Sequence, residues 1–148
     1  MLETERLLMR NFEIEDVSSC LEGWGEDKYL GKYVYGYPMQ ETQMASFVSA
    51  LTQNCNAWVI VEKESQKCIG YVTVDIPYMQ LGIGEIGYVI GEQHQHKGYA
   101  YESVKCILQE YLVVRNLYMI EAKYNTDNLA SCSHFLHLTC SHIEKNQF

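Results

Sequence analysis

Two hydrophobic periods alternate along this chain. Runs of β-branched and aromatic residues, or alternating apolar and polar positions, predict strands, whereas apolar residues at i, i+3, i+4 and i+7 predict amphipathic helices. The strand-like segments are residues 6–12, 57–62, 68–76, 85–90 and 117–124. The helical segments are residues 13–24, residues 40–53, a helix that begins at Tyr99, and a weaker pattern in residues 129–143.

The order of these segments, β-α-α-β-β-β-α-β-α, predicts a mixed α/β fold with a mostly antiparallel sheet flanked by helices. The charged turn at residues 63–67 joins two strands in the manner of an antiparallel hairpin, and we expect Pro77 to end the second strand. Residues 88–117 form a strand–helix–strand crossover, which predicts one parallel pair of strands.

Glycine and tyrosine dominate residues 23–38, which predicts an irregular, aromatic-rich loop. Two interpretations of this loop stay open. The tyrosines could line a substrate pocket, or they could cover an edge of the core with their hydroxyls in water.

Composition predicts one soluble globular domain over residues 1–148, with 47% hydrophobic and 20% charged residues. A formal net charge of -8 argues against a nucleic-acid partner and is compatible with an amine-bearing substrate. No stretch approaches the roughly 20 apolar residues that a membrane span needs. The first residues lack a secretory pattern, and the six cysteines form no Cys-x-x-Cys pair, so we expect a cytoplasmic protein with reduced thiols.

The polar loop at residues 91–98 has the properties of an anion-binding turn. Gly98 lets the backbone approach a ligand closely, and the helix that follows offers N–H groups without intrahelical acceptors. Gln95 can donate from its side chain, and positive charge comes from Lys97 and, when protonated, from His94 and His96. We expect both histidines to be exposed.

A second glycine pattern, Gly-x-Gly-x-x-Gly at residues 82–87, matches the dinucleotide-binding motif by its letters. That motif must follow a strand and open a helix, whereas this one opens a strand. It therefore predicts no dinucleotide site.

Residues 95–100, Gln-His-Lys-Gly-Tyr-Ala, resemble the Gln/Arg-x-x-Gly-x-Gly/Ala signature of the GNAT N-acetyltransferase superfamily, with the expected strand before and helix after. Residues 2–10 with Asp16, and the segment Asn125-x-x-Asn128-x-x-Ser131, are similar to the branch that includes ribosomal-protein N-terminal acetyltransferases. The resemblance covers about residues 2–131.

This resemblance implies an acetyl-CoA-binding fold in which the strands at 85–90 and 117–124 splay apart. The pantetheine arm would lie in the gap, held by backbone groups of Tyr88, Val89 and Ile90. The pyrophosphate would lie on the amides of Gln95, His96, Lys97, Gly98, Tyr99 and Ala100. Asn128 and Ser131 match family positions near the pantetheine and its thiol.

The implied reaction is direct attack of a primary amine on the thioester, which needs a base for the amine and benefits from a donor near the thiolate. Glu85, at the start of the strand beside the gap, is the candidate base, although a lone carboxylate at a strand end could simply be solvated. Ser131 is the candidate donor on the thiol side, or else a helix-start residue. The backbone N–H of Val89 or Ile90 could polarise the thioester carbonyl.

The tail departs from the family pattern. After Ser131 the expected glycine is absent, and only eight residues follow Cys140, so the C-terminal hairpin that completes the sheet is apparently missing. The resulting open edge of the strand at 117–124 could be covered by a homodimer. The tail also carries five candidate zinc ligands, but their spacing matches no established pattern and we predict no metal. These are Cys132, His134, His137, Cys140 and His142.

Three functions follow. The first is an acetyl-CoA-dependent N-acetyltransferase that acts on a primary amine, either a protein N-terminus or a small molecule. The second is a non-catalytic CoA-binding or regulatory domain with a truncated acceptor site. The third is an interaction module whose open sheet edge pairs with a partner and needs no cofactor.

Overall fold

A computed structural model describes residues 1–123 of the chain. The strands in this part are β1 (Leu2–Glu3), β2 (Leu7–Arg10), β3 (Ala57–Glu62), β4 (Cys68–Tyr78), β5 (Ile83–Ile90) and β6 (Met119–Ala122). They form one six-stranded sheet in the order β1-β2-β3-β4-β5-β6. Every neighbouring pair is antiparallel except β5 and β6, which are parallel. The predicted mixed, mostly antiparallel α/β fold is confirmed.

The helices of the described residues are α1 (Val17–Cys20), α2 (Glu41–Thr52) and α3 (Tyr99–Gln109). The predicted first helix is irregular, because α1 lies between a 3-10 turn (Ile14–Asp16) and a π-helical turn (Leu21–Gly25). The α3 helix likewise continues into a π-helical turn (Glu110–Val114). None of these helices is both long enough and apolar enough to cross a membrane.

Apolar residues form two clusters, one on each face of the sheet. The α3 helix packs on one face through Val104 and Ile107, and α2 packs on the other through Met44 and Val48. All four side chains are fully buried. Helical spacing places each set on one side of its helix, so the sequence pattern already decides which face meets the sheet.

The β4 strand is longer than predicted, because Pro77 does not end it. The strand runs on to Tyr78, and its register with β5 shifts between Asp75 and Tyr78. Proline has no N–H for a sheet ladder, and a register shift is one of the few places in a strand where that loss is tolerated. The expectation that Pro77 terminates this strand is therefore wrong.

Other boundaries differ from the prediction by one or two residues. The β5 strand begins at Ile83 rather than at residue 85, and β6 begins at Met119 rather than at residue 117. The short β1 strand was not predicted, because two residues are too few to show a period. Residue 124 lies outside the described part.

The β5–α3–β6 crossover is anchored where β5 ends. The Gly91 N–H donates to the Ile69 carbonyl at 3.0 Å. A Cβ at Gly91 would lie 2.1 Å from the carbonyl oxygen of Gly23, so the backbone packs directly on the π-helical turn that follows α1. The turn between β5 and α3 therefore starts from a fixed point.

Candidate active site

The turn between β5 and α3 presents backbone amides at the start of α3. Two of its residues have left-handed conformations, His96 (φ 60°) and Gly98 (φ 82°). Gly98 is the N-cap of α3 without a side-chain cap, and the first α-helical bond runs from the Glu102 N–H to the Gly98 carbonyl at 3.0 Å. Helix geometry gives the N–H groups of Tyr99 and Ala100 no intrahelical acceptor. An anion placed here would meet these N–H groups and the positive end of the helix dipole.

The Gln95 side chain stabilises this turn with a hydrogen bond. Its Nε2 donates to the Ile90 carbonyl at 2.9 Å, which ties the turn back to the end of β5. The sequence suggested that this side chain could donate to an anion, and the bond to Ile90 uses one of its two amide hydrogens. Backbone amides are therefore the main donors that the turn itself offers.

The two histidines of the turn differ. His94 is buried, so the expectation that it is exposed is wrong, whereas His96 is exposed as predicted. Burial lowers the pKa of His94, and the nearby Lys97 lowers it further. His94 is therefore neutral at neutral pH and adds no positive charge to the turn there. Its Nδ1 has no hydrogen-bond partner among the described residues.

Within residues 1–123, the β5 and β6 strands pair over only part of β5. The last pair in this range is Ile86 opposite Ala122, and β5 continues for four residues past it. That continuation contains the residues that the resemblance assigns to the pantetheine arm, Tyr88, Val89 and Ile90. Val89 and Ile90 are buried and Tyr88 is half-buried. The assignment of the three residues to pantetheine stays a prediction.

Glu85 lies within β5 rather than at its start, with a side chain 39% exposed. It is paired with Asp75 on β4 and with Glu121 on β6, so three carboxylates occupy adjacent positions on one face of the sheet. Its Oε2 accepts a hydrogen bond from Lys123 Nζ at 2.6 Å. This bond raises the pKa of Lys123, and the two side chains form an ion pair. The proposed role of Glu85 as base stays a prediction.

The aromatic loop packs on the face of the sheet that carries α1 and α2. The Trp24 ring lies 4.9 Å from Tyr71 and 6.1 Å from Tyr37 between ring centroids. The Tyr37 and Tyr71 hydroxyls lie 3.4 Å apart, and burial raises the pKa of both. Tyr35, by contrast, is fully exposed. Tyr37 therefore packs on the core, as the second interpretation expects, but its hydroxyl lies against the Tyr71 hydroxyl, whereas that interpretation placed the hydroxyls in water.

The model of the Acetyltransferase (GNAT) domain family matches residues 6–138. The chain belongs to the GNAT acetyltransferase family. Acetyl transfer is the activity of this family, and the prediction of an acetyltransferase is confirmed.

Relatives of this GNAT protein agree with that assignment. The uncharacterized N-acetyltransferase p20 of Bacillus licheniformis is 30% identical over 135 residues, which cover 88% of this chain and 76% of the relative. A GNAT-family acetyltransferase structure from Bacillus anthracis has a TM-score of 0.81 at 24% identity and covers 90% of this chain and 78% of its own. The ribosomal-protein-S5-alanine acetyltransferase of Vibrio fischeri has a TM-score of 0.79 at 20% identity and covers 92% and 80%. The resemblance to the ribosomal-protein branch is thus confirmed at the level of the fold.

Several predictions about this GNAT domain fall outside residues 1–123. They concern Asn128 and Ser131, the missing C-terminal hairpin, and the Cys- and His-rich tail. The register of β6 with β5 can be followed only as far as Ala122.

Sequence reasoning missed two side chains. One holds the turn between β5 and α3 of this GNAT domain, and the other pairs with the candidate base, Glu85. Arg6, just before β2, contacts the turn, and Lys123, just after β6, contacts Glu85. No spacing rule could have found them, because the partners are 91 and 38 residues apart in sequence. Only the sheet order brings them together.

Proposed function

We propose that this GNAT protein transfers an acetyl group from acetyl-CoA to a primary amine, either a protein N-terminus or a small molecule. The observation that carries this proposal is the uncapped start of α3, where Gly98 is left-handed and supplies no side-chain cap, so the first N–H groups of the helix are left to a ligand. Pyrophosphate is suited to such a site because it accepts several N–H donors and carries negative charge. The family assignment supports acetyl-CoA as the specific donor.

The donor would be held at two places. Backbone amides of residues 95–100 would bind the pyrophosphate, and the main chain of Tyr88, Val89 and Ile90 would align the pantetheine arm. Asn128 and Ser131 would complete the thiol end, with Ser131 as hydrogen-bond donor to the leaving sulfur. When bound, acetyl-CoA supplies an activated thioester, and the protein supplies orientation and proton transfer.

The amine must lose a proton before it can attack the thioester carbon, and Glu85 would accept that proton through a water molecule. Its Oε2 is occupied by Lys123, which leaves Oε1 to face the water. The C–N bond then forms and the C–S bond breaks, and the proton that the nitrogen loses on becoming an amide protonates the thiolate as CoA leaves. The carboxylates of Asp75 and Glu121 beside Glu85 would favour a cationic acceptor.

A transfer assay tests this function. Acetyl-CoA is supplied with alanyl and seryl peptides and with spermidine, and acetylated product is measured by mass spectrometry, which the exposed thiol of Cys55 does not disturb. We expect product with at least one acceptor class. Donor binding without product from any amine would instead support the non-catalytic CoA-binding domain.

The role of Glu85 is tested separately with Glu85→Gln. General-base catalysis is worth about 10²–10⁴ in rate, so we expect kcat to fall at least about a hundredfold. Glu22→Gln is the matched control, because Glu22 is an exposed carboxylate that accepts from Lys67 Nζ at 2.6 Å, as Glu85 does from Lys123, and its loss should leave kcat within about twofold. Equal effects of both variants on kcat would remove Glu85 from the mechanism.

For the assembly, we propose that a second copy of the chain pairs with β6. This strand is the last in the described sheet, and edge strands are normally covered. Tyr118 and Met119, which lead into it, are 84% and 37% exposed. Sedimentation should report a dimer, and a monomer at all concentrations would contradict this assembly.

A further inference from the structure

We propose that Arg6 is a positioning residue for acetyl-CoA binding, because it fixes the direction of the Gly98 N–H in the pyrophosphate turn. This inference rests on the proposed function. Arg6 immediately precedes β2 and lies 91 residues before Lys97 in sequence, yet its guanidinium lies against the turn.

The guanidinium holds the turn through a backbone carbonyl. Arg6 Nη1 donates to the carbonyl oxygen of Lys97 at 2.8 Å. In a trans peptide the C=O of one residue and the N–H of the next point in opposite directions. A Lys97 carbonyl that is held toward Arg6 therefore turns the Gly98 N–H away from Arg6, to the side where an anion would lie.

Arg6 is itself held in place. Its Nε donates to Glu102 Oε2 at 2.7 Å, and Nη2 lies 2.7 Å from the same oxygen. Its guanidinium carbon lies 4.5 Å from the centroid of the Tyr99 ring. A Cβ at Gly98 would lie 3.3 Å from Nη2, so the guanidinium is directly behind the turn. The planar fork of arginine suits this arrangement, and lysine could not make both contacts at once.

Glu102, which anchors Arg6, is fully engaged by the N-terminal segment. Its Oε1 accepts from Thr4 Oγ1 at 2.5 Å and from the Arg6 N–H at 2.9 Å. Burial alone would raise the pKa of Glu102, but the hydrogen bonds from Thr4 and Arg6 outweigh burial and lower it. Glu102 is therefore ionised and balances the charge of Arg6, so the contribution of Arg6 to anion binding is mainly geometric.

The π-helical turn that continues α3 at its C-terminal end supplies a matched control. Arg115 Nε donates to Glu110 at 3.0 Å, and its guanidinium carbon lies 4.4 Å from the centroid of the Tyr111 ring. Arg115 thus makes the same kinds of contact to a glutamate and a tyrosine as Arg6 does, without touching the turn. Arg115→Gln removes a comparable anchor from the same helix.

The experiment measures the Kd of acetyl-CoA by calorimetry for wild type, Arg6→Gln, Arg6→Lys, Glu102→Gln and Arg115→Gln. The Gly98 amide resonance is followed by NMR during each titration. We expect Arg6→Gln to raise the Kd about tenfold, which corresponds to about 1.4 kcal/mol, and to reduce the shift of the Gly98 amide on binding. Arg6→Lys should recover only part of this loss, and Arg115→Gln should bind as wild type does.

Glu102→Gln keeps the Arg6 bond to Lys97 but weakens the contact that anchors the guanidinium, so we expect a smaller loss of acetyl-CoA affinity than in Arg6→Gln. Glu102→Gln also replaces Arg6→Gln as the test variant if Arg6→Gln does not fold. The inference is overturned if Arg6→Gln and Glu102→Gln bind acetyl-CoA as wild type does, or if Arg115→Gln loses as much affinity as Arg6→Gln. Failure of wild type itself to bind acetyl-CoA would overturn the proposed function together with this inference.

Discussion

The two ends of α3 are built from the same residue types but differ in what they leave available. At the C-terminal end, Tyr111 is fully buried, donates to Asn56 Oδ1 at 2.7 Å and accepts from Trp58 Nε1 at 3.1 Å. Arg115 covers this group and donates to the same Asn56 oxygen at 3.2 Å. The polar side chains at this end hydrogen-bond to one another, so this end contributes to the stability of the fold.

At the N-terminal end, side chains hold the turn from behind and leave its front to the backbone. Tyr99 packs against Arg6, whereas Gly98 is exposed and provides no cap. A helix end can therefore be held rigidly while its N–H groups remain without hydrogen-bond acceptors. Rigidity with unused N–H groups is what an anion-binding site requires.

The largest stability effect is expected at the C-terminal end, from Tyr111→Phe. The change leaves the buried Trp58 N–H without its acceptor, and a buried unsatisfied polar group costs about 1–3 kcal/mol. Urea unfolding measures the loss, and acetyl-CoA affinity should not change. Tyr118→Phe, at a side chain 84% exposed, is the control and should be neutral. A large loss of acetyl-CoA affinity in Tyr111→Phe would erase the contrast between the two ends.

Gly98→Ala should affect both stability and binding. A left-handed alanine costs about 1–2 kcal/mol, and the new Cβ would lie 3.3 Å from Arg6 Nη2, where it disturbs the guanidinium that holds the turn, so we expect about a tenfold weaker Kd for acetyl-CoA. Gly36→Ala is a matched control, because Gly36 is also left-handed (φ 97°) and a Cβ there would meet nothing within 4 Å. Both variants should lose similar stability, and only Gly98→Ala should lose affinity. Equal affinities would show that the turn is not the binding site.

Much of this contrast could be predicted from sequence, because it depends on local pattern. Gly98 at the start of an amphipathic helix already indicated an anion site, and the apolar spacing of Val104 and Ile107 already indicated which face of α3 is buried. The partners that hold each end could not be predicted. Arg6 and Glu102 are 96 residues apart, and their contact depends on the place of β2 in the sheet. Burial of His94 likewise depends on tertiary packing that no local pattern encodes.

Lys97→Gln should weaken acetyl-CoA binding only about threefold, because an exposed charge typically contributes about 1 kcal/mol or less. The loss should shrink as salt is raised, since salt screens exposed charges. Calorimetry at two salt concentrations measures it, with Lys67→Gln, which removes an exposed lysine paired with Glu22, as control. A loss larger than that of Gly98→Ala would mean that side-chain charge, rather than the backbone, dominates the site.

The smallest effect concerns pH. Burial lowers the pKa of His94 in the folded protein below its ordinary value of 6.5. The unfolded chain therefore takes up a proton first as pH falls, so the stability associated with neutral His94 is complete above about pH 6.5 and declines below it. Urea unfolding at pH 7.5 and 5.5 should show a smaller decline for His94→Gln than for wild type. His96→Gln should keep the wild-type decline in the free energy of unfolding. An unchanged decline in His94→Gln would contradict the assignment of this pH dependence to His94.

The most direct test of the central claim is calorimetric titration of the wild-type protein with acetyl-CoA, paired with a thermal-unfolding scan. A ligand that binds only the folded state must raise the Tm, so a site at the start of α3 predicts both a saturable heat and a higher Tm. The absence of heat and of a Tm shift at saturating acetyl-CoA would contradict the assignment of the turn as a donor site.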